Sequence, residues 1–253
     1  MIQNSRTNTS LSAGLSPELL EHMRERFATI KDDVASACRR AGRDSSEVLV
    51  EAVSKTVDVE QVLAASQAGF IAFAENRPQE LVRKLNLLDQ EGISVPRFDM
   101  IGNLQTNKIN AVLGRAALIH SISSLHLAQA VSKRSVTRSV VARVLIEVNI
   151  SGEQSKSGFS TDELWASLDE LLALDGIDIQ GLMTMAPAHD AARARQTFSG
   201  LRELRDELRE RSGRALDVLS CGMSDDYEIA IEEGSTLVRL GRIIFDQNYT
   251  DIH

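Results

Sequence analysis

Lys55 has the clearest opportunity for chemistry in this chain. It stands near the end of VLVEAVSKT (Val48 to Thr56), an apolar run rich in β-branched residues. Leu49, Glu51, Val53 and Lys55 fall on one face of such a strand, and Val48, Val50, Ala52 and Ser54 on the other. A helix start follows at once, with Asp58 at the N-cap, Gln61 three residues on and Gly69 at the close. Where a strand gives way to a helix is the end at which β/α proteins place their chemistry. Two glycine turns farther along supply a complement. Gly222-Met223-Ser224 and Arg239-Leu240-Gly241-Arg242 each end an apolar run and precede a short helical stretch. Glycine lets the backbone approach an anion, and the N–H groups that open a helix favour negative charge. An amine beside a phosphate cradle suits a phosphorylated aldehyde held as a Schiff base, because a deprotonated amine condenses with a carbonyl.

The elements that must position these groups form a repeating series. Ser16-Pro17-Glu18 opens a first helix, with Leu20, Met23, Phe27, Ile30 and Val34 at helical spacing and Gly42 past its end. After the Lys55 strand come apolar runs at Gly69 to Asn76, Arg97 to Asn103, Ala117 to Ser123, Arg143 to Ser151, Ile179 to Met185, Asp217 to Ser224 and Ser235 to Gly241. Helical patterns separate them, among them a capping box at Ser160 with Glu163 and a long charged helix over Ala191 to Arg211. Eight strands alternating with helices in 253 residues predict a single (β/α)8 barrel of TIM type, an α/β fold, with an extra N-terminal helix. The runner-up is an open doubly wound sheet, disfavoured because no G-x-G-x-x-G follows the first strand. In a barrel, Lys55, Asn76, Asn103, Ser224, Arg239 and Gly241 share one rim, and pyridoxal phosphate is the cofactor that fits an amine and an anion cradle together.

Composition narrows the function classes. A net charge of −8 argues against a nucleic-acid surface as the main business. Cys38 and Cys221 make no disulfide framework, so a cytoplasmic setting is expected. No apolar run reaches membrane-spanning length, residues 1–14 read as a disordered polar tail, and residues 15–253 as the barrel domain. The five histidines show no metal-ligand spacing, so no metal site is expected.

AVSKT at Lys55, AENRPQE at Asn76, IGNLQTNK from Ile101, EVNISGEQSKSGF from Glu147, GLMTM from Gly181, CGMSDDYE from Cys221 and VRLGRIIF from Val238 occur in this order. Together they resemble the YggS/PROSC family, the pyridoxal phosphate homeostasis proteins, also called alanine-racemase-like barrel proteins. The match covers most of the chain from about Val48 to Phe245. The resemblance implies Lys55 as the Schiff-base lysine. It implies phosphate contacts from Ser224 and from the backbone of Gly241 and Arg242, and it places Arg239 near the pyridine nitrogen. Asn76 and Met223 would lie near the cofactor, with Ile101 and Gly102 lining the ring. This chain departs from the family at Arg242, where a small residue is usual, at Asp246, where glycine is frequent, and at Asp99 and Asn103, where histidines are common.

The same residues bear on activity. A guanidinium cannot accept a proton, so Arg239 would leave the ring nitrogen unprotonated and the ring a poor electron sink. Racemisation needs an acid or base on each face of the substrate carbon. Lys55 serves one face, while related racemases take the other from a tyrosine in a second domain for which the barrel leaves no length. Neither Tyr227 nor Tyr249 is an obvious substitute. The expectation is a monomeric carrier that buffers pyridoxal phosphate and delivers it to apo enzymes, with no robust turnover. The alternatives are a small pyridoxal-phosphate racemase or lyase, and a phosphosugar-type barrel enzyme using Lys55 for an aldol reaction.

Overall fold

The structure, a computed structural model, describes residues 15–94, 97–154 and 156–249. The tail expected over residues 1–14 lies outside the described residues. The strands are β1 (Leu49–Val53), β2 (Ala72–Glu75), β3 (Phe98–Met100), β4 (Ile119–Ile122), β5 (Ala142–Glu147), β6 (Ile177–Met183), β7 (Val218–Ser220) and β8 (Leu237–Leu240). Each pairs in parallel with its neighbour, and β8 returns to β1 with Glu51 opposite Arg239, so the sheet closes. The expected barrel is present. Several strands are shorter than the apolar runs that announce them. The runs continue into the loops at the carboxyl ends, where Ser54, Ile101 and Cys221 are still shielded by packing although the ladder has ended.

Helices cover the outside: α1 (Pro17–Arg40), α2 (Val59–Ala68), α3 (Pro78–Gln90), α4 (Ile109–Val112), α5 (Leu125–Thr137), α6 (Thr161–Leu172), α7 (Ala191–Ser212), α8 (Tyr227–Glu232) and α9 (Arg242–Phe245). Their starts follow the capping chemistry. Ser16 accepts from the Leu19 N–H, and Asp58 with Gln61 and Ser160 with Glu163 form reciprocal capping boxes. After β7 the helix α8 begins at Tyr227 with Asp226 at the N-cap position, so Ser224 stands before the helix and does not cap it.

Period-two alternation sorts the strand residues into two sets. Ala52, Phe73, Phe98, Val238 and Leu240 point outward into a cluster with Met23, Ile30 and Val34 of the added helix α1. Leu49, Leu118, Leu145, Met183, Val218 and Leu237 point inward and plug one end of the barrel. Above that plug the inward positions turn polar.

A second polar cluster lies between the barrel and α3. Lys84 is 1% exposed, and its Nζ donates to a Glu75 carboxylate oxygen at 2.5 Å and to the Ser54 carbonyl at 2.6 Å. Ser54 Oγ donates to the same Glu75 oxygen at 2.7 Å. One buried ion pair thus ties the end of β1, the end of β2 and α3 together, directly before Lys55 and Asn76. Replacing Lys84 with Met keeps much of the volume but strands the Glu75 charge. The expected loss of unfolding free energy in urea is about 3–5 kcal/mol, against roughly 0.5 kcal/mol for an exposed change such as Lys133→Met.

Candidate cofactor site

The carboxyl ends of the strands gather the residues singled out above. Lys55 lies in the turn after β1, solvent-exposed and with no hydrogen bond or ion pair among the described residues. Gly241 packs against that turn: a Cβ there would stand 3.4 Å from the Val53 carbonyl oxygen, two residues before the lysine. The end of β1, from which Lys55 projects, and the second glycine turn are therefore neighbours. Asn76 follows β2, half-buried, and Gly102 presses against it so closely that a Cβ would come within 2.0 Å of the Asn76 carbonyl oxygen. Only glycine permits that approach. Ser121 Oγ then donates to the Gly102 carbonyl at 2.7 Å and fixes the loop that carries Ile101.

The two glycine turns form the cradle. Ser224 is buried beneath the rim, and its Oγ accepts from the Ile243 N–H at 3.4 Å. Arg242 opens α9, so its own N–H has no acceptor within the helix. The Arg242 side chain reaches across to pair with Asp225 and lies over the Tyr249 ring, 5.7 Å from its centroid. Tyr249 O–H in turn donates to the Ser224 carbonyl at 3.0 Å. Met223 is exposed at the lip, 39% accessible. Arg239 forms the floor. It is buried, and its guanidinium donates to the Ser220 carbonyl at 2.8 Å, to Ser220 Oγ at 2.5 Å and to the Thr184 carbonyl at 3.1 Å. The donors available, an amine, a hydroxyl, helix-opening N–H groups and a guanidinium, suit a phosphorylated pyridine aldehyde, and Gly102 lets the loops after β2 and β3 close against each other beside it.

Beneath this floor lies a buried charged layer that no motif in the sequence announces. Glu51, Asp99 and His120 are fully enclosed, and their ligand atoms fall within 4.8 Å of one another. His120 Nε2 is 3.2 Å from Asp99, and His120 Nδ1 is 3.1 Å from Ser220 Oγ. Arg97 closes on Asp99 with three contacts between 2.6 and 3.0 Å. Burial lifts the Glu51 carboxyl well above its usual range, reinforced by the charge of Asp99. Burial would also raise Asp99, but hydrogen bonds from His120, Glu51 and Arg97 outweigh it and hold that carboxyl at about 2. Burial pushes the His120 imidazole down and the Glu147 carboxyl up, and it lowers the Arg239 guanidinium. The signal for these residues is one charged group at an inward position of each otherwise apolar strand. Their conjunction is invisible in the sequence because they stand on five different strands. A surface groove along α5, lined by His126, Lys133, Arg134 and Arg138, shares no residue with the mouth.

Residues 27–248 match the alanine racemase N-terminal domain family. A pyridoxal phosphate homeostasis protein of Aquifex aeolicus is 38% identical over 224 residues, 88% of this chain and 97% of the relative. The chain belongs to the alanine racemase N-terminal domain family and, within it, to the pyridoxal phosphate homeostasis proteins. PipY of Synechococcus elongatus, solved with pyridoxal phosphate bound, superposes with a TM-score of 0.77 at 29% identity, covering 88% of this chain and 99% of that one. An alanine racemase of Clostridium difficile shares the fold at a TM-score of 0.69 and 16% identity, and this chain spans only 58% of its length.

The charged layer carries a pH signature. Asp99 is held at about 2 in the folded chain, against about 3.9 in an unfolded one. Its contribution to stability is therefore present above about pH 4 and drains away as the pH falls toward 2. Glu51, shifted upward, works with the opposite sign. Asp99→Asn is expected to lower stability at neutral pH and to flatten the acid limb between about pH 4 and 2, read by urea unfolding across that range.

Proposed function

We propose that this protein holds pyridoxal 5'-phosphate at the carboxyl-terminal mouth of the barrel and buffers or delivers it, without robust turnover of its own. When bound, the cofactor supplies an aldehyde and an electron-withdrawing ring. Lys55 would hold the aldehyde through its amine as a Schiff base. Ser224 Oγ and the N–H groups of Gly241 and Arg242 would receive the phosphate. Asn76, Ile101, Gly102 and Met223 would lie beside the ring, and Arg239 near its nitrogen. Membership of the homeostasis family and the position of the Lys55 turn against Gly241 support this reading.

The observation that carries the choice of carrier over enzyme is where the candidate second acids go. Tyr227 O–H donates to Asp33 on α1 at 2.9 Å, outside the barrel. Tyr249 O–H is engaged with Ser224 and Asp225 behind the cradle. Cys221 packs outward in the apolar layer, its thiol pushed up to about 11 by burial. Among the described residues no tyrosine or thiol stands across the ring from Lys55. Recipients are apo forms of enzymes that use the same cofactor. Among the described residues no helix is long and apolar enough to cross a membrane.

The purified protein loaded with pyridoxal phosphate is expected to be yellow, and borohydride to fix the cofactor to the peptide bearing Lys55. Lys55→Ala abolishes both. Amino-acid racemisation at ordinary enzymatic rates, lost in Lys55→Ala, would instead make the protein an enzyme. A separate titration addresses the cradle. Arg242→Ser leaves Asp225 unscreened beside the phosphate, so pyridoxal phosphate should bind about twofold to fivefold more weakly. Pyridoxal, which lacks the phosphate, should bind unchanged.

A further inference from the structure

The hydrogen bonds beneath the mouth converge on Asp99 from two sides. Both ends are guanidinium groups, which donate and never accept. At the upper end Arg239 donates to Ser220 Oγ, so the single Ser220 hydroxyl proton is free to point elsewhere, and His120 Nδ1 at 3.1 Å is its acceptor. His120 Nδ1 is then bare, and the ring proton resides on Nε2, which donates to Asp99 Oδ2 at 3.2 Å. At the lower end Arg97 donates to both oxygens of Asp99, from Nε to Oδ1 and from Nη2 to Oδ2. The tautomer of His120 follows from its neighbours rather than from its own preference.

The surrounding groups agree. Protonation of His120 would aim a second donor at Ser220 Oγ, leave the hydroxyl proton without an acceptor and add a cation beside Arg239. Glu51, opposite Arg239 in the ladder and 3.8 Å from His120 Nε2, has two buried oxygens with no hydrogen-bond partner. Carrying a proton on one oxygen and turning it toward Asp99 gives that oxygen a partner and accords with the upward shift of the carboxyl. Glu147 on β5 has an orphaned oxygen of its own and is also shifted toward the neutral acid. Asp226 and Cys221, from the β7 side, are shifted toward their neutral forms as well. Arg239 therefore keeps three neutral acceptors and forms no ion pair among the described residues. A divalent cation among Glu51, Asp99 and His120 would be flanked by two guanidinium groups, which opposes it.

We propose that Asp99, His120 and Ser220 are positioning residues: their line spends the Ser220 hydroxyl proton on His120, leaves a lone pair of Ser220 Oγ for Arg239, and so holds that guanidinium where it keeps the ring nitrogen of bound pyridoxal phosphate free of a proton. The other arm of the line enters Asp99 from Arg97, whose side chain is partly exposed. It deepens the proposed function, and rests on the reading that places Arg239 against the ring nitrogen.

The test uses the loaded protein with cofactor labelled isotopically at the ring nitrogen, whose NMR shift reports its protonation directly. Wild type is expected to show an unprotonated nitrogen across neutral pH. Ser220→Ala removes one oxygen and breaks the line. Asp99→Asn turns an amide N–H toward His120 Nε2 and forces the other tautomer, as the isosteric change in a Ser-His-Asp triad does. Both should raise the nitrogen's titration midpoint by about one unit or more, with the Lys55 linkage intact. Ser220→Thr, which retains the hydroxyl, should restore the wild-type midpoint. Arg239→Gln is the control for the underlying reading. If Arg239→Gln moves the signal while Ser220→Ala and Asp99→Asn leave it unchanged, the relay is wrong and the placement of Arg239 stands. If Arg239→Gln moves nothing, the placement itself is wrong and the relay falls with it.

Discussion

A charge enclosed by eight strands has no water to solvate it, and that constraint shapes the whole upper half of this barrel. Three remedies exist: pair the charge, give it enough hydrogen bonds, or neutralise it. Each is used here. Asp99 stays ionised because Arg97 and His120 saturate it. Arg239 stays charged on three oxygen acceptors. Glu51 and Glu147, which have no comparable partners, are driven toward the neutral acid. The apolar plug formed by Leu49, Leu118, Leu145 and Met183 lies on the other side of this layer, and so the polar interior opens only toward the mouth.

The same logic acts outside the strands. Lys84 is buried as completely as any leucine, yet its amine is met by the Glu75 carboxylate and the Ser54 carbonyl, and the Ser54 hydroxyl completes the cluster through Glu75. A purely apolar contact in that place would be as stabilising. What the ion pair adds is direction. It holds the carbonyl just before Lys55 and the carboxylate just before Asn76 at fixed distances, which an apolar contact does not do. The exposed lysine thus projects from a backbone that is itself rigidly held. The close approach of Gly102 to Asn76 does the same for the neighbouring loops.

The architecture is legible in the sequence because it rests on local signals. Capping boxes at Asp58 and Ser160 and proline at the start of α1 survive into the structure residue for residue, and each apolar run yields a strand, though several strands are shorter than their runs. The mouth is legible for a related reason: strand ends in a barrel converge, so Lys55 and the glycine turn at Gly241 fall together before any contact is known. Ser224 has the residue type and setting of a helix cap, but its helix opens three residues later and its hydroxyl serves α9 instead. The charged layer is not legible. Glu51 in VLVEAV, His120 in LIHSIS and Arg239 in LVRLG each look like one polar residue in an apolar strand. Only closure of the sheet shows that they face one another.

That closure also bears on how a barrel of this kind would hold a reactive aldehyde without spending it, as proposed above. Racemisation requires an acid or base on each face of the carbon and a ring able to take up negative charge. The exposed amine is present on one side. The two tyrosines are bonded elsewhere, to Asp33 and to the cradle, so they cannot approach the other face without giving up those bonds. The ring nitrogen, in the proposed arrangement, meets a donor that has no base to lend and is held in place by hydrogen bonds that converge on Asp99. In that arrangement catalysis would be weakened at two independent points while the phosphate grip and the amine are untouched. Such a site would favour capture over turnover, with its exposed lysine reachable by a recipient.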